Sequence, residues 1–248
     1  MIKISHLLKS FGSKPVLRDV NLDIHRGETL VIIGQSGCGK SVLLKLIMGL
    51  LKADEGHILV DGEDVTRCSI TTLYRIRQKF GMLFQGAALF DSMTVAENLA
   101  FAISEHSSLS ALEIQQRVRK RLKLVGMPDV THLKPAELSG GMKKRVALAR
   151  ALMLDPEFVL FDEPTTGLDP IMADVINEMI INCSRELDIT SIVVTHDMTS
   201  AYKVGNRIAM MHDGIIVFDG TPEDIQNVNN AVVQQFIVGS AEGPIKVV

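Results

Sequence analysis

Leu30-Val31-Ile32-Ile33-Gly34-Gln35-Ser36-Gly37-Cys38-Gly39-Lys40-Ser41-Val42-Leu43-Leu44-Lys45-Leu46-Ile47-Met48 decides the fold. Its first four residues form an apolar run that suits a strand covered on both faces. Six loop residues follow, three of them glycine, and the apolar positions Val42, Leu43, Leu44, Leu46 and Ile47 continue as a helix that Gly49 can close. The pattern G-x-x-x-x-G-K-[ST] is complete between a strand and a helix, the context that gives it meaning. Glycines let main-chain N–H groups approach phosphate oxygens, and the helix N-terminus adds partial positive charge. Lys40 is placed to reach β- and γ-phosphates, and the Ser41 hydroxyl to ligate Mg²⁺.

The surrounding chain fits an ordinary globular protein of 248 residues: 46% of them are hydrophobic and 22% charged. The formal charge of −3 lacks the basic excess expected of a nucleic-acid binder. Three scattered cysteines, Cys38, Cys68 and Cys183, suit a reduced compartment better than a disulfide framework. Met1 to Ser5 has no apolar core of a signal peptide, and the most apolar window, Val42 to Leu51, is broken by Lys45. A membrane role is therefore expected to need a partner.

Upstream of the loop, Val20, Leu22 and Ile24 alternate as in a half-buried strand. Phe11 suits either stacking on a nucleotide base or core packing. Downstream, Gly56 to Val60 and Phe80 to Phe84 read as strands, the second delivering Gln85 to a carboxyl end, where ligands of α/β sheets bind. From Asp91 to Leu154 the pattern turns helical. Thr94 with Glu97 and Ser110 with Glu113 form capping boxes, and Val118, Leu122 and Val125 share one face while Arg117, Lys120 and Arg121 read as solvated. Leu138-Ser139-Gly140-Gly141-Met142 opens a further helix whose first turns carry Lys143, Lys144 and Arg145; it reads as a second anion clamp or a tight turn.

Phe158 to Phe161 is a buried-strand run that ends in Asp162-Glu163, two carboxylates whose burial is costly unless they meet a cation or do chemistry. Beside the phosphate loop, Asp162 suits Mg²⁺ and Glu163 the orientation or deprotonation of the attacking water. Asp169-Pro170 starts a helix with Ile171, Val175 and Met179 spaced by four. Thr190 to Thr195 is another buried strand, with His196 at its end, where it suits either a structural role or, at a strand end shared in kind with Gln85 and Glu163, facing a γ-phosphate. Two strands flank His212-Asp213-Gly214 as a hairpin, and Thr221 to Asp224 caps a short helix.

Together these motifs resemble the nucleotide-binding subunit of ABC transporters over nearly the whole chain. The resemblance implies an α/β fold of the P-loop NTPase type: a mixed sheet with flanking helices, an antiparallel β portion and an inserted helical subdomain. It implies one domain, with a RecA-like core over residues 1–90 and 156–228, helices over 91–155 and a tail over 229–248. Gly34, Gln35, Ser36, Gly37, Cys38, Gly39, Lys40, Ser41 and Val42, with Phe11 on the adenine, correspond to the ATP-binding residues. Lys40, Gln85, Glu163 and His196 correspond to the catalytic set, and Ser41, Gln85 and Asp162 to the Mg²⁺ ligands. Cassettes of this family pair head to tail, so Ser139, Gly140, Gly141 and Asp169 would act on the nucleotide of a second copy. Met142 departs from the usual glutamine, which leaves the backbone clamp intact.

The signature motif Leu138 to Met142, the segment Gln85 to Phe90 and the tail Gln235 to Gly239 with Gly243 to Ile245 are similar to ATPases of the MCE-type lipid transporters. The implied partners are a second copy, transmembrane permease subunits, an MCE-type lipid-binding protein and a small STAS-domain subunit, with no nucleic acid. The implied location is the cytoplasmic face of the inner membrane, held peripherally. Val232, Val233, Phe236 and Ile237 then either dock on a neighbouring subunit or pack on their own core. Small-solute import, and a soluble cassette acting on nucleic acid or ribosomes, are the alternatives. The stretch between Lys40 and Ser139 has no heptads of a coiled-coil repair ATPase, and the chain carries one cassette where translation-type relatives carry two.

Overall fold

The computed structural model describes residues 1–246, so the last two residues of the expected tail lie outside the described part. Two compact units divide the chain: residues 1–77 with those from Thr190 onward, and Gln78–Ile189. In order, the chain forms β1 (Ile2–Phe11), β2 (Lys14–Ile24), β3 (Thr29–Ile33), α1 (Lys40–Ile47), β4 (Glu55–Val60), β5 (Glu63–Asp64) and α2 (Ile70–Gln78). The second unit contributes β6 (Phe80–Leu83), α3 (Val95–Ser104), α4 (Ala111–Leu124), α5 (Gly140–Ala151), β7 (Phe158–Asp162) and α6 (Pro170–Leu187). The chain then returns to the first unit as β8 (Thr190–Val194), α7 (Met198–Val204), β9 (Arg207–His212), β10 (Ile215–Gly220), α8 (Asp224–Asn227) and α9 (Ala231–Val238).

In the first unit, β2, β1, β4 and β5 form an antiparallel sheet in that order. The alternation expected in β2 is present, with Val20, Leu22 and Ile24 buried opposite Leu7, Ile4 and Ile2. Beside it, β3 pairs in parallel with β8 and with β9, and β10 returns antiparallel to β9 through the left-handed turn Asp213-Gly214. Every residue of β3 and β8 is buried, as continuous apolar runs require when both faces are covered. Helix α1 buries Leu43, Leu44, Leu46 and Ile47, and Gly49 stops it in the left-handed conformation.

In the second unit, β6 and β7 pair in parallel, with Leu83 opposite Phe161, and the Phe80 and Phe158 rings stack at 5.0 Å. Both capping boxes close as expected, at Thr94 with Glu97 and at Ser110 with Glu113. Two expectations are corrected. Arg121 is not on a solvated face: it is 6% exposed, and its guanidinium pairs with Asp155. Helix α6 turns a different face inward, burying Ile176, Ile180 and Cys183, while Ile171 is 77% exposed and Val175 and Met179 are only half-buried. The spacing by four marked a helix correctly but not the stripe that packs.

The terminal segment folds back through one side chain. Val233 is buried within the chain, whereas Val232, Phe236 and Ile237 are half-buried and Val238 exposed. The Gln235 amide donates to the carbonyls of Ser240 and Ile245 at 3.2 and 3.1 Å, and its oxygen accepts from the Ile245 N–H at 2.6 Å. No helix among the described residues is long and apolar enough to cross a membrane.

Candidate functional site

In the first unit the phosphate loop leaves the carboxyl end of β3 and enters α1. Gly34 has φ +149°, and a Cβ there would lie 2.2 Å from the Met211 carbonyl oxygen of β9, so the strand end tolerates no side chain. Gly37, at φ +81°, turns the exposed crest of the loop with nothing within 4 Å of its absent side chain. The loop closes on itself through the Cys38 N–H donating to Gln35 O at 3.3 Å. Lys40 folds back across it: buried, its ammonium donates to Gly34 O at 2.7 Å and Gln35 O at 2.9 Å. An ammonium held by main-chain carbonyls at a loop of glycines and a helix N-terminus is a fit for a polyphosphate. Gln35 and Ser36 lie on the rim, and Ser41 and Val42 follow as half-buried residues of the first turn.

Cys38 departs from what a helix N-terminus alone suggests. Burial pushes its thiol pKa up, outweighing the pull of the Lys40 charge and a main-chain hydrogen bond, and Asp213 adds to the rise.

The neighbouring strand β8 ends at Thr195, whose N–H donates to Ile32 O at 3.2 Å. His196 follows, exposed, held between that bond and the cap of α7, where Asp197 accepts from the N–H groups of Thr199 and Ser200. The first unit therefore places the loop and His196 at the carboxyl ends of adjacent parallel strands, the usual ligand-binding edge. Phe11 ends β1, 49% exposed, with the Lys9 ammonium 5.5 Å above its ring. Its exposure excludes the core-packing alternative.

The second unit repeats the arrangement. Gln85, exposed, follows β6, and Asp162 with Glu163 ends β7, both carboxylates buried. Glu163 takes φ +51°, rare for a residue with a side chain. Its carbonyl accepts from the Lys144 ammonium at 3.0 Å, and its carboxylate from the Thr166 hydroxyl at 3.0 Å. Lys144 is itself buried, and burial lowers its pKa against the opposing pull of Glu163 and Asp162. Ser139 caps α5 by accepting from the Met142 N–H at 3.3 Å, with Ser139 and Gly140 exposed and Gly141 buried. Asp169 caps α6 by accepting from Ile171 and Met172 N–H, both at 3.0 Å.

Two residues that sequence reasoning passed over, and a third that it did not tell apart from its neighbours, support these positions. Arg150, near the end of α5, donates to the carbonyls of Ala87 and Ala88 at 2.9 and 2.6 Å, pinning two consecutive left-handed alanines just past Gln85. Asn98 of α3, fully buried, accepts from Phe90 N–H at 2.8 Å and donates to the carbonyls of Phe90, Met93 and Thr94. Lys144 is the third. The one available signal was an unusual residue type at a core-facing helix position.

In the first unit Ser41 offers a hydroxyl, and in the second Gln85 and Asp162 offer an amide and a carboxylate. These are oxygen donors, the kind Mg²⁺ takes when it arrives with phosphates. Among the described residues no three His, Cys, Asp or Glu side chains gather as a metal cage.

Residues 17–166 match the family described as ABC transporter. The chain is 43% identical over 244 residues to the probable ribonucleotide transport ATP-binding protein mkl of Mycobacterium leprae, covering 98% of this chain and 70% of that protein. It is 40% identical over 246 residues to the intermembrane phospholipid transport system ATP-binding protein MlaF of Haemophilus influenzae, covering 99% of this chain and 93% of that protein. Among solved structures, the ATP-binding cassette MJ0796, dimeric in a post-hydrolysis state with ADP and Pi, superposes with a TM-score of 0.83 at 33% identity, over 90% of this chain and 99% of that one. A phosphate loop, a buried Asp-Glu strand end and a serine-capped Gly-Gly helix thus occur in a chain whose relatives carry the same fold along its length, and the chain belongs to the ABC transporter family as an ATP-hydrolysing cassette.

Proposed function

We propose that this chain is the ATPase that drives phospholipid transport through a membrane permease at the cytoplasmic face of the inner membrane. The observation that carries the reading is the loop itself: a buried Lys40 clasped by the carbonyls of its own phosphate-binding turn. The likeness to the Haemophilus influenzae phospholipid-transport ATP-binding protein, across nearly the full length of both, supports the lipid.

Residue by residue, the main-chain N–H groups of Gly34 to Ser41 bind the triphosphate, Lys40 neutralises its β- and γ-oxygens, and Phe11 stacks on the adenine. Ser41, Asp162 and Gln85 would hold Mg²⁺, which would supply charge neutralisation at the phosphates. Glu163 accepts the proton of the attacking water and His196 steadies the γ-phosphate. Ser139, Gly140, Gly141 and Asp169 serve the nucleotide of a second copy, so one chain holds part of each pocket. The dimeric state of a relative supports that pairing. Closure needs the γ-phosphate and hydrolysis removes it, which cycles the pair between two states that a permease can use. An MCE-type lipid-binding protein and a small STAS-domain subunit complete the complex.

The test is purification of the native complex in detergent, followed by mass spectrometry of its proteins and lipids. Permease, MCE-type protein and bound phospholipid are expected. Ribonucleotide uptake, the activity in the name of the mycobacterial relatives, would instead bring a solute-binding partner and no lipid.

A further inference from the structure

We propose that Lys144 is a positioning residue for hydrolysis: from the second turn of α5 it holds the main chain of Glu163 in its left-handed turn, and so aims that carboxylate. The inference rests on the reading of Glu163 as the group that activates water.

Lys143, Lys144 and Arg145 look interchangeable in sequence, as cations near a helix start. The structure separates them. Lys144 is buried at 5% exposure, and its ammonium donates to Glu163 O at 3.0 Å, whereas its two neighbours remain half-buried. Burying an ammonium is unfavourable unless it is hydrogen-bonded and meets opposite charge. Lys144 has both, a carbonyl and the two carboxylates at the strand end.

The bond falls where the backbone most needs one. With φ +51°, Glu163 occupies a conformation that L-residues with side chains adopt only when their surroundings insist on it. The Thr166 N–H reaches the same carbonyl only at 3.4 Å. Lys144 supplies the shorter, charge-assisted contact. A rotation of that peptide would swing the Cα–Cβ bond and carry the carboxylate off the water; geometry of this kind decides the rate of a positioned base. Because Ser139 caps the same helix, the signature and Glu163 are fastened to one rigid element.

The experiment compares steady-state ATPase kinetics and nucleotide affinity of the full chain in its complex. Lys144→Met, similar in length without donor or charge, is expected to lower kcat tenfold or more with KM and ATP affinity unchanged, and Lys144→Arg to recover most of the loss. Combining Lys144→Met with Glu163→Gln should slow the reaction no further than Glu163→Gln alone, as residues acting through one group are non-additive. Retained nucleotide affinity shows that the variant folds. Should Lys144→Met not fold, Lys144→Gln replaces it, expected to fall below Lys144→Arg in kcat. A normal kcat in Lys144→Met, or in Lys144→Gln when it stands in, overturns the proposal, as does a rise in KM at constant kcat or a failure of Lys144→Arg to recover. If Glu163→Gln itself turns over normally, the role given to Glu163 fails, whatever Lys144 does. If Glu163→Gln is inactive and Lys144→Met normal, only the positioning role fails.

Discussion

At the scale of single residues, the proposed roles of Lys40 and Glu163 separate binding from chemistry. Lys40→Ala removes the ammonium that spans the loop, so ATP affinity should collapse in equilibrium binding with a fluorescent analogue. Glu163→Gln keeps the size of the side chain but loses the base. It should bind ATP normally and hydrolyse it about 10²- to 10⁴-fold more slowly in a phosphate-release assay. Cys38 yields a pH prediction of opposite sign to the one its helix position invites. Its thiol pKa is raised by burial, so less thiolate is present near neutrality than on a free cysteine, and alkylation should be slower than that of a cysteine peptide. The rate should climb about tenfold per pH unit up to that pKa, and ATP should slow it. Residues whose local backbone shape decides their type, Gly34 through Ser41 in the loop and Asp169 at a helix cap, are legible in the sequence because such turns and helix ends demand those types at those offsets. The pKa of Cys38 is not, since it depends on what the fold lays over the sulfur.

Among elements, α5 carries the most. Its cap is Ser139, its middle grips Glu163 through Lys144, and its end grips Ala87 and Ala88 through Arg150. The segment after Gln85 has a second anchor in Asn98. Asn98→Ala removes the partner of the Phe90 N–H and of the Met93 carbonyl, while the Phe90 and Thr94 carbonyls keep main-chain donors, and should cost about 1–3 kcal/mol, read from urea unfolding. The boxes of α3 and α4 add a pH signature. Glu97, held by the Thr94 N–H, and Glu113, held by the Ser110 hydroxyl, both have lowered pKa values. A depressed carboxylate stabilises the fold above its unfolded pKa and loses that stabilisation as pH falls through its folded one. Thr94→Ala should therefore lower the urea midpoint at pH 7 and matter less near pH 3. Those boxes were readable because their partners are three residues apart. Arg121 and Asp155 were not: their pairing spans 34 residues and only the tertiary fold reveals it. The inward face of α6 was missed because two apolar stripes compete along it, and packing against the rest of the second unit chooses between them.

For the molecule as a whole, the order of strands along the chain differs from their order in space. The apolar runs of β3, β4, β6, β7 and β8 and the β9–β10 hairpin were readable from the sequence, whereas β5, α2 and α7 were not read, and which strands become neighbours did not follow, because parallel partners lie far apart in sequence. The second unit is one uninterrupted segment, Gln78–Ile189, whereas the first depends on residues from both sides of it. β3 takes its partners from β8 and β9, with Thr29 opposite Ser191 and Leu30 opposite Arg207. During synthesis on the ribosome the phosphate loop therefore emerges early and waits, its strand unpaired, while the second unit can already collapse around β6, β7 and α5. A chain stopped after Gly205 contains every residue of the loop but lacks β9, and should show no ATP binding in an affinity capture that retains the chain released after His212. The phosphate loop thus gains its β9 support only once the chain has run past His212, so a nascent chain shorter than that is expected to have no grip on fuel.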